Sequence, residues 1–375
     1  MRIAFDAKRM LQNATGLGNY SRYMVNALVN HFPDNQYLLF SPREGRLHLR
    51  ELISKSPRIQ YIYPDSFISK RLPSLWRTYQ IPEDNYDIDI FHGLSNELPL
   101  NIKGKRCRSV VTIHDLIYER FPKLYSPIDR MLYQYKYKRA CQNADHIVAV
   151  SEQTKKDIIS FYKIPDHKIS VVYQGCDPIF SVQQGPEDIT SVLDKYHINQ
   201  PYVLYVGSIE ERKNLLTLAK SIKKASQDLT FVAIGKPTSY TTVVKNYIQE
   251  HQLDNRIKIL HNISYQELPV FYQGARMFVY PSVFEGFGIP VIEALSSGIP
   301  VIGAKGSCLE EAGGKDSLYI EPFNSDQLTD YINQIHKSDA LRQQMITTGY
   351  AHVNQFEAKS ISQSMMQVYR NTIQR

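Results

Sequence analysis

The chain is poor in the features that would mark a secreted scaffold or a membrane span. It has four cysteines, Cys107, Cys141, Cys176 and Cys308, and no two of them form a Cys-x-x-Cys pair. Scattered thiols argue against a disulfide framework or a zinc site and for a reducing cytoplasm. No apolar run reaches the roughly 18 residues that a spanning helix needs. Met1 to Lys8 enter a strand pattern at once, without the apolar stretch of a signal peptide. Acidic residues are outnumbered, 37 against 44 Lys and Arg, for a formal charge of +7. That balance favours phosphates and anionic surfaces in general and does not single out nucleic acid. The expectation is a cytoplasmic protein without a nucleic-acid partner, at most peripheral at the inner face of a membrane.

What is present is alternation. The 375 residues suit two domains of about 150 to 200 residues each. Strand-like runs at Arg2–Asp6, Tyr37–Phe40, Ile59–Tyr63, Ile88–His92, Ser109–Ile113, residues 146–150 and Ile169–Tyr173 alternate with helical patterns. Tyr202 onward, Thr230–Gly235, Ile257–Leu260, Met277–Tyr280 and Pro300–Ala304 repeat the alternation in the second half. The fold class predicted is α/β, with two doubly wound parallel sheets. Boundaries are expected at 1–177, a linker at 178–200, 201–355 and a closing helix at 356–375.

The chemistry concentrates in residues 280–295, YPSVFEGFGIPVIEAL. A buried strand runs into a loop in which Gly286 and Gly288 permit backbone angles closed to other residues. Pro290 suits a first helical position. Glu285 in the loop and Glu293 in the first turn would then face one helix mouth, whose N–H groups favour an oxygen-rich ligand. Two other junctions have similar character. Gly207 follows a buried strand and leads to Arg212, Lys213 and Asn214, with Asn214 a candidate helix cap. Adjacent cations at such a turn suit a diphosphate, and arginine can bind two oxygens at once. Gly16-Leu17-Gly18 lies between the first strand and a helix, an arrangement that presents amides to phosphate. His114 and Asp115 end an apolar strand, where open α/β sheets place ligands.

Taken together, Glu285-x7-Glu293 within EGFGIPVIEALSSGIPVI, Gly207-x4-Arg212-Lys213-Asn214 and Thr112-Ile-His-Asp115 resemble the retaining GT-B glycosyltransferases of family 4, glycosyl transferases group 1. The resemblance implies two Rossmann-like domains facing across a cleft, with the closing helix crossing back to the first. It implies a nucleotide-diphosphate sugar as substrate, a saccharide or lipid-linked saccharide as acceptor, and neither metal nor other cofactor. Arg212, Lys213, Gly207 and the loops Gly16–Gly18 and Gly286-Phe287-Gly288 would hold the diphosphate. Glu285 would bind hydroxyls of the transferred sugar, Glu293 the ribose, and His114 would support the sugar. Arg212, Lys213, His114 and Glu285 are the catalytic candidates, while His92, Asn96 and Asp115 fall on the acceptor side. The similarity leans toward bacterial mannosyltransferases of surface-polysaccharide assembly, with GDP-mannose as first donor and UDP- or dTDP-sugars as alternatives. Gln174 and Cys176 depart from the Asn and Val usual in the family, Glu211 from a proline, and His261 from a glycine near the base.

Other features stay open. Asp87-Ile-Asp89 has a metal-binding look but opens an apolar run, so it reads as a strand edge with solvated carboxylates. Lys70, Arg71, Trp76 and Arg77, and then Arg130 to Arg139 with Tyr133, Tyr135 and Tyr137, interleave cations with aromatics. Such helices either present a solvated face with tyrosine stems packed inward or lie on an anionic membrane. Acceptor contacts are expected from residues 64–100 and 116–140. The rival readings are a GT-B epimerase or hydrolase and a non-catalytic nucleotide-sugar-binding protein. Either should have lost part of the set above. A dinucleotide oxidoreductase would need a Gly-x-Gly-x-x-Gly at a first turn, and none occurs.

Overall fold

Parallel strands covered on both faces need near-continuous apolar runs, and the strands of this chain have them. The structure, a computed structural model, describes residues 1–65, 71–79, 86–199 and 201–375. Lys70 lies outside them. The chain forms two compact units, Met1–Gly175 with Phe356–Arg375, and Cys176–Gln355.

In the first unit, β1 (Arg2–Asp6), β2 (Gln36–Phe40), β3 (Ile59–Ile62), β4 (Ile90–Gly93), β5 (Arg108–Ile113), β6 (His146–Ala149) and β7 (Ile169–Val171) form one sheet. Their order is β3-β2-β1-β4-β5-β6-β7, and all neighbouring strands pair in parallel. In the second unit, β8 (Tyr202–Val206), β9 (Thr230–Ile234), β10 (Ile257–Leu260), β11 (Met277–Tyr280), β12 (Val301–Ala304) and β13 (Leu318–Ile320) form another. Its order is β10-β9-β8-β11-β12-β13, again parallel. Both are doubly wound sheets, as the alternation predicts. Strand order reverses between β1 and β4 and between β8 and β11, and the crevice beyond such a reversal is where these sheets take ligands.

The helix Ala358–Gln374 belongs to the first unit. Its Ile361, Met365, Met366, Val368 and Tyr369 share a core with Ile3, Phe5 and Met24. Among the described residues, no helix is long and apolar enough to cross a membrane.

Strand limits shift by one or two residues, as at β4 and β7, and other local details also differ from the sequence reading. β13 was not expected, because three residues after Gly313-Gly314 carry too little pattern to signal a strand. The helix at Leu268–Gln273 starts later than residue 265, because Ser264 accepts the Glu267 amide in a preceding turn. Pro290 is the second residue of Ile289–Ser296, not the first.

Candidate functional site

The loops after β8 and β11 leave the sheet at its reversal and are stitched together. The Val283 amide donates to Arg212 O at 2.9 Å, and Asn214 Nδ2 donates to Pro281 O at 3.2 Å. Asn214 is not a conventional cap. It stands in the left-handed region with φ 58°, its side chain bonds no helix amide, and it turns the chain into Leu215–Ser221.

This stitching buries a charged cluster. Arg212 Nη1 lies 2.8 Å from Glu285 Oε1, and the guanidinium also donates to Phe284 O. Arg212 Nη2 reaches Glu210 at 3.4 Å. The same Glu285 oxygen accepts from Tyr280 Oη at 2.9 Å and Ser282 Oγ at 2.8 Å. Burial pushes the Glu285 carboxyl up, but Lys213, Arg212 and the two hydroxyls outweigh it and hold the group below its ordinary value. Glu285 is thus an ionised, pre-oriented carboxylate. Lys213 Nζ sits 5.7 Å from the centre of the Tyr280 ring. A Cβ on Gly207 would stand 3.3 Å from Tyr280 and 3.4 Å from the Lys213 stem, so glycine there leaves room for both.

The 281–288 loop is fixed from behind. The Cys308 thiol donates to Glu285 O at 3.0 Å and to Phe287 O at 2.8 Å. Phe287 is buried, and Gly288, at φ 121°, opens the helix Ile289–Ser296 without any side-chain cap. Gly286 sits half-buried between them.

Glu293 is corrected in one respect. It stands in the second turn of that helix, whose first turn holds no acid. It therefore does not share the helix mouth with Glu285; both instead feel the Lys213 charge. Tyr272 Oη donates to Glu293 Oε2 at 2.9 Å. Burial raises the carboxyl to about 7, Tyr272 and Lys213 oppose the rise, and Asp177 adds to it. Beside it, the Cys176 thiol is pushed up by burial and by Glu293. Tyr265 donates to Asp177 at 3.2 Å. Sequence reasoning missed Tyr272, Tyr265 and Cys176 as neighbours of Glu293, since these pairings are long-range. Ser282 was in view but without a role.

The first unit holds the other candidates. His114 is buried beyond β5, and its Nε2 faces Leu94 O at 2.9 Å. A carbonyl only accepts, so Nε2 carries the proton and Nδ1 accepts from Gln174 Nε2 at 3.0 Å. Burial lowers this histidine to about 4, against a small opposing effect of the Leu94 carbonyl. Both ring nitrogens are thus occupied by protein, with Tyr20 edge-on at 4.6 Å between centroids. Asn96, at φ 63°, accepts the His114 amide at 2.7 Å. Asp115 accepts the Ile117 amide at 3.1 Å, which shapes the loop after β5.

His92 does not serve as an acceptor contact. It is fully buried, 2.6 Å from Tyr369 Oη and 2.8 Å from Thr112 Oγ1, so it fastens the last helix to the sheet. Gly16 is exposed, and nothing lies within 4 Å of a Cβ there. Leu17 is half-buried, while a Cβ on Gly18 would fall 1.8 Å from Asn13 O. Gly18 is thus required by packing and Gly16 is not. Asp87 and Asp89 are both engaged by Arg2, at 3.6 Å to its guanidinium and 2.7 Å to its amide. Among the described residues, no cluster of three or more metal-ligating side chains occurs.

The chain resembles known proteins along nearly its whole length. Residues 14–180 match Glycosyltransferase Family 4, and residues 193–352 match Glycosyl transferases group 1. The chain is 26% identical to O-antigen chain mannosyltransferase B of Escherichia coli, across 99% of this chain and 100% of that protein. Sucrose-phosphate synthase from Thermosynechococcus elongatus superposes with a TM-score of 0.78 at 19% identity, covering 99% and 98% of the two chains. Anabaena Alr3699/HepE, solved with UDP and glucose, gives 0.78 at 17% identity, covering 99% and 100%. These two structures establish likeness of fold.

Proposed function

The chain belongs to family 4 of the glycosyltransferases, glycosyl transferases group 1, and has their GT-B fold; from this premise we propose that it moves mannose from GDP-mannose to a saccharide or lipid-linked saccharide hydroxyl in glycan assembly. The observation that carries the donor half is the cluster beyond β8 and β11. There, two adjacent cations, an ionised glutamate and an uncapped helix start occupy the sheet reversal.

The chemistry follows from the charges. As the bond from the anomeric carbon to the diphosphate breaks, negative charge grows on the leaving oxygens. Arg212 and Lys213 supply fixed positive charge at the place where it develops. Lys213 has no carboxylate within ion-pair distance among the described residues, so its charge is available to a ligand. Glu285, held ionised by three donors, accepts hydrogen bonds from hydroxyls of the transferred sugar. Glu293 takes the ribose hydroxyls. Retention fits a front-face reaction in which the leaving phosphate accepts the acceptor proton. His114, with both nitrogens engaged, acts by shape and not as an acid or base. The likeness to a mannosyltransferase of O-antigen chains supports the choice of mannose.

The test is a thermal-shift panel with GDP, UDP, dTDP and ADP, each with and without EDTA. A diphosphate at about 100 times its Kd stabilises the fold by roughly 2.7 kcal/mol. Selective stabilisation by GDP, indifferent to EDTA, is the expected result. Selective stabilisation by another diphosphate would overturn the guanine assignment, and no shift at millimolar concentration would overturn the donor site.

A further inference from the structure

Half of the large apolar side chains exposed on the described residues fall in two short stretches of the first unit. Of sixteen, eight are Leu72, Leu75, Tyr79, Leu124, Ile128, Met131, Leu132 and Tyr135. The two stretches adjoin. Arg77 and Thr78 of the helix Pro73–Tyr79 line a 210 Å³ cavity together with Leu132, Tyr135 and Lys136 of the helix Pro127–Asn143.

The longer helix carries two apolar stripes. Tyr133, Tyr137, Ala140 and Cys141 face inward, packed against Val111, Tyr118 and Ile147. This accounts for its attachment to the sheet. Ile128, Met131, Leu132 and Tyr135 recur at i, i+3, i+4 and i+7 and point into solvent, with Ile128 68% and Met131 63% exposed. A solvated face would place polar residues at these positions. Around the outer stripe, residues 123–139 hold five cations, Lys123, Arg130, Lys136, Lys138 and Arg139, against the single acid Asp129. Apolar residues set among a strong excess of cations match the boundary of an anionic bilayer, where acyl chains meet acidic headgroups. A protein partner of mixed charge would not account for the sign of the excess.

We propose that the outer face of Pro127–Asn143, extended by Leu72, Leu75 and Tyr79, docks this protein on an anionic lipid bilayer. The surface is separate from the donor cluster, which lies in the other unit. It would hold the protein where a lipid-linked acceptor is displayed.

The experiment is co-sedimentation with vesicles of phosphatidylcholine alone and with one third phosphatidylglycerol, at low and physiological salt. Binding is expected only to the anionic vesicles, and it should weaken with salt. Arg130→Glu with Lys138→Glu should lower partitioning by about fivefold or more for each residue changed. Ile128→Ser with Met131→Ser should lower it further, with unchanged melting temperature and unchanged diphosphate shift. Each variant removes only exposed groups, and the melting temperature and the diphosphate shift report folding and donor binding separately from lipid binding. Failure to bind anionic vesicles, equal binding to neutral ones, or indifference to both double variants would overturn the proposal. So would a concentration-dependent dimer that the apolar variant abolishes without affecting vesicle binding.

Discussion

Arg212 and Glu285 meet at 2.8 Å, with side chains only 11% and 14% exposed, so each charge is largely desolvated and answered by the other. Removing one partner of such a pair strands the other in a poorly solvated place, at a cost of about 3–5 kcal/mol. Arg212→Met should therefore destabilise strongly in a urea titration. The double variant Arg212→Met, Glu285→Gln should recover part of the loss, because the stranded charge is gone. Simple additivity of the two single changes would show that the pair is not coupled. Glu285→Gln alone keeps an oxygen for Tyr280 and Ser282 but loses the charge that faces the sugar. We expect kcat to fall by about 100-fold or more, together with a lower melting temperature, because Arg212 is left without its carboxylate.

Glu293 is raised by burial from the ordinary 4.5 to about 7. The native state therefore holds this proton after the unfolded chain has released it. Its contribution to stability is complete below about pH 4.5 and is lost as the pH rises through 7. Glu293→Gln removes that loss. Compared with the parent, the variant should gain on the order of 2 kcal/mol between pH 5 and pH 8. Ribose hydroxyls donate to the ionised form, so diphosphate affinity of the parent should rise over the same interval while that of the variant stays flat. Nucleotide titrations at pH 6 and pH 8 check this, and equal affinities in the parent would remove Glu293 from the ribose.

Three buried histidines make the first unit less stable in acid. Burial lowers His92 to about 3, His114 to about 4 and His146 to about 4, with His114 adding to the effect on His92 and Arg375 to that on His146. Each folded value lies below the ordinary 6.5, so the unfolded chain gains the proton first. The associated stability is present above pH 6.5 and disappears as pH falls toward 4. Each contributes a slope of up to about 1.4 kcal/mol per pH unit. Glu293 acts in the opposite sense but sits in the second unit. Hydrogen exchange at pH 5 should therefore lose protection first in β4, β5 and β6. Earlier loss in β8 or β11 would contradict the assignment.

Strand positions were legible because buried parallel strands need unbroken apolar runs, and β10 and β11 match their expected limits. Arg212, Lys213 and Glu285 were legible because they stand beside glycines at strand ends. What was hidden was relational. Nothing near His92 in sequence shows that Tyr369, 277 residues away, takes its Nδ1. Nothing near Glu293 shows Tyr272 or Asp177 as neighbours. Asn214 read as a cap because asparagine commonly is one. Its backbone is instead left-handed, and its side chain donates to Pro281 O, a partner that only the folded loops supply.

The helix Ala358–Gln374 carries a consequence for synthesis. The core around Ile3, Phe5 and Met24 is completed by Met365, Met366 and Tyr369. On the ribosome, residues 1–175 emerge well before the helix that seals them. The nascent first unit must wait, with its apolar face open, while the whole second unit is translated. The second unit, continuous in sequence, can finish folding first. A stop codon ahead of this helix would therefore injure the earliest-made part of the protein, whose apolar face stays uncovered until the helix has been made.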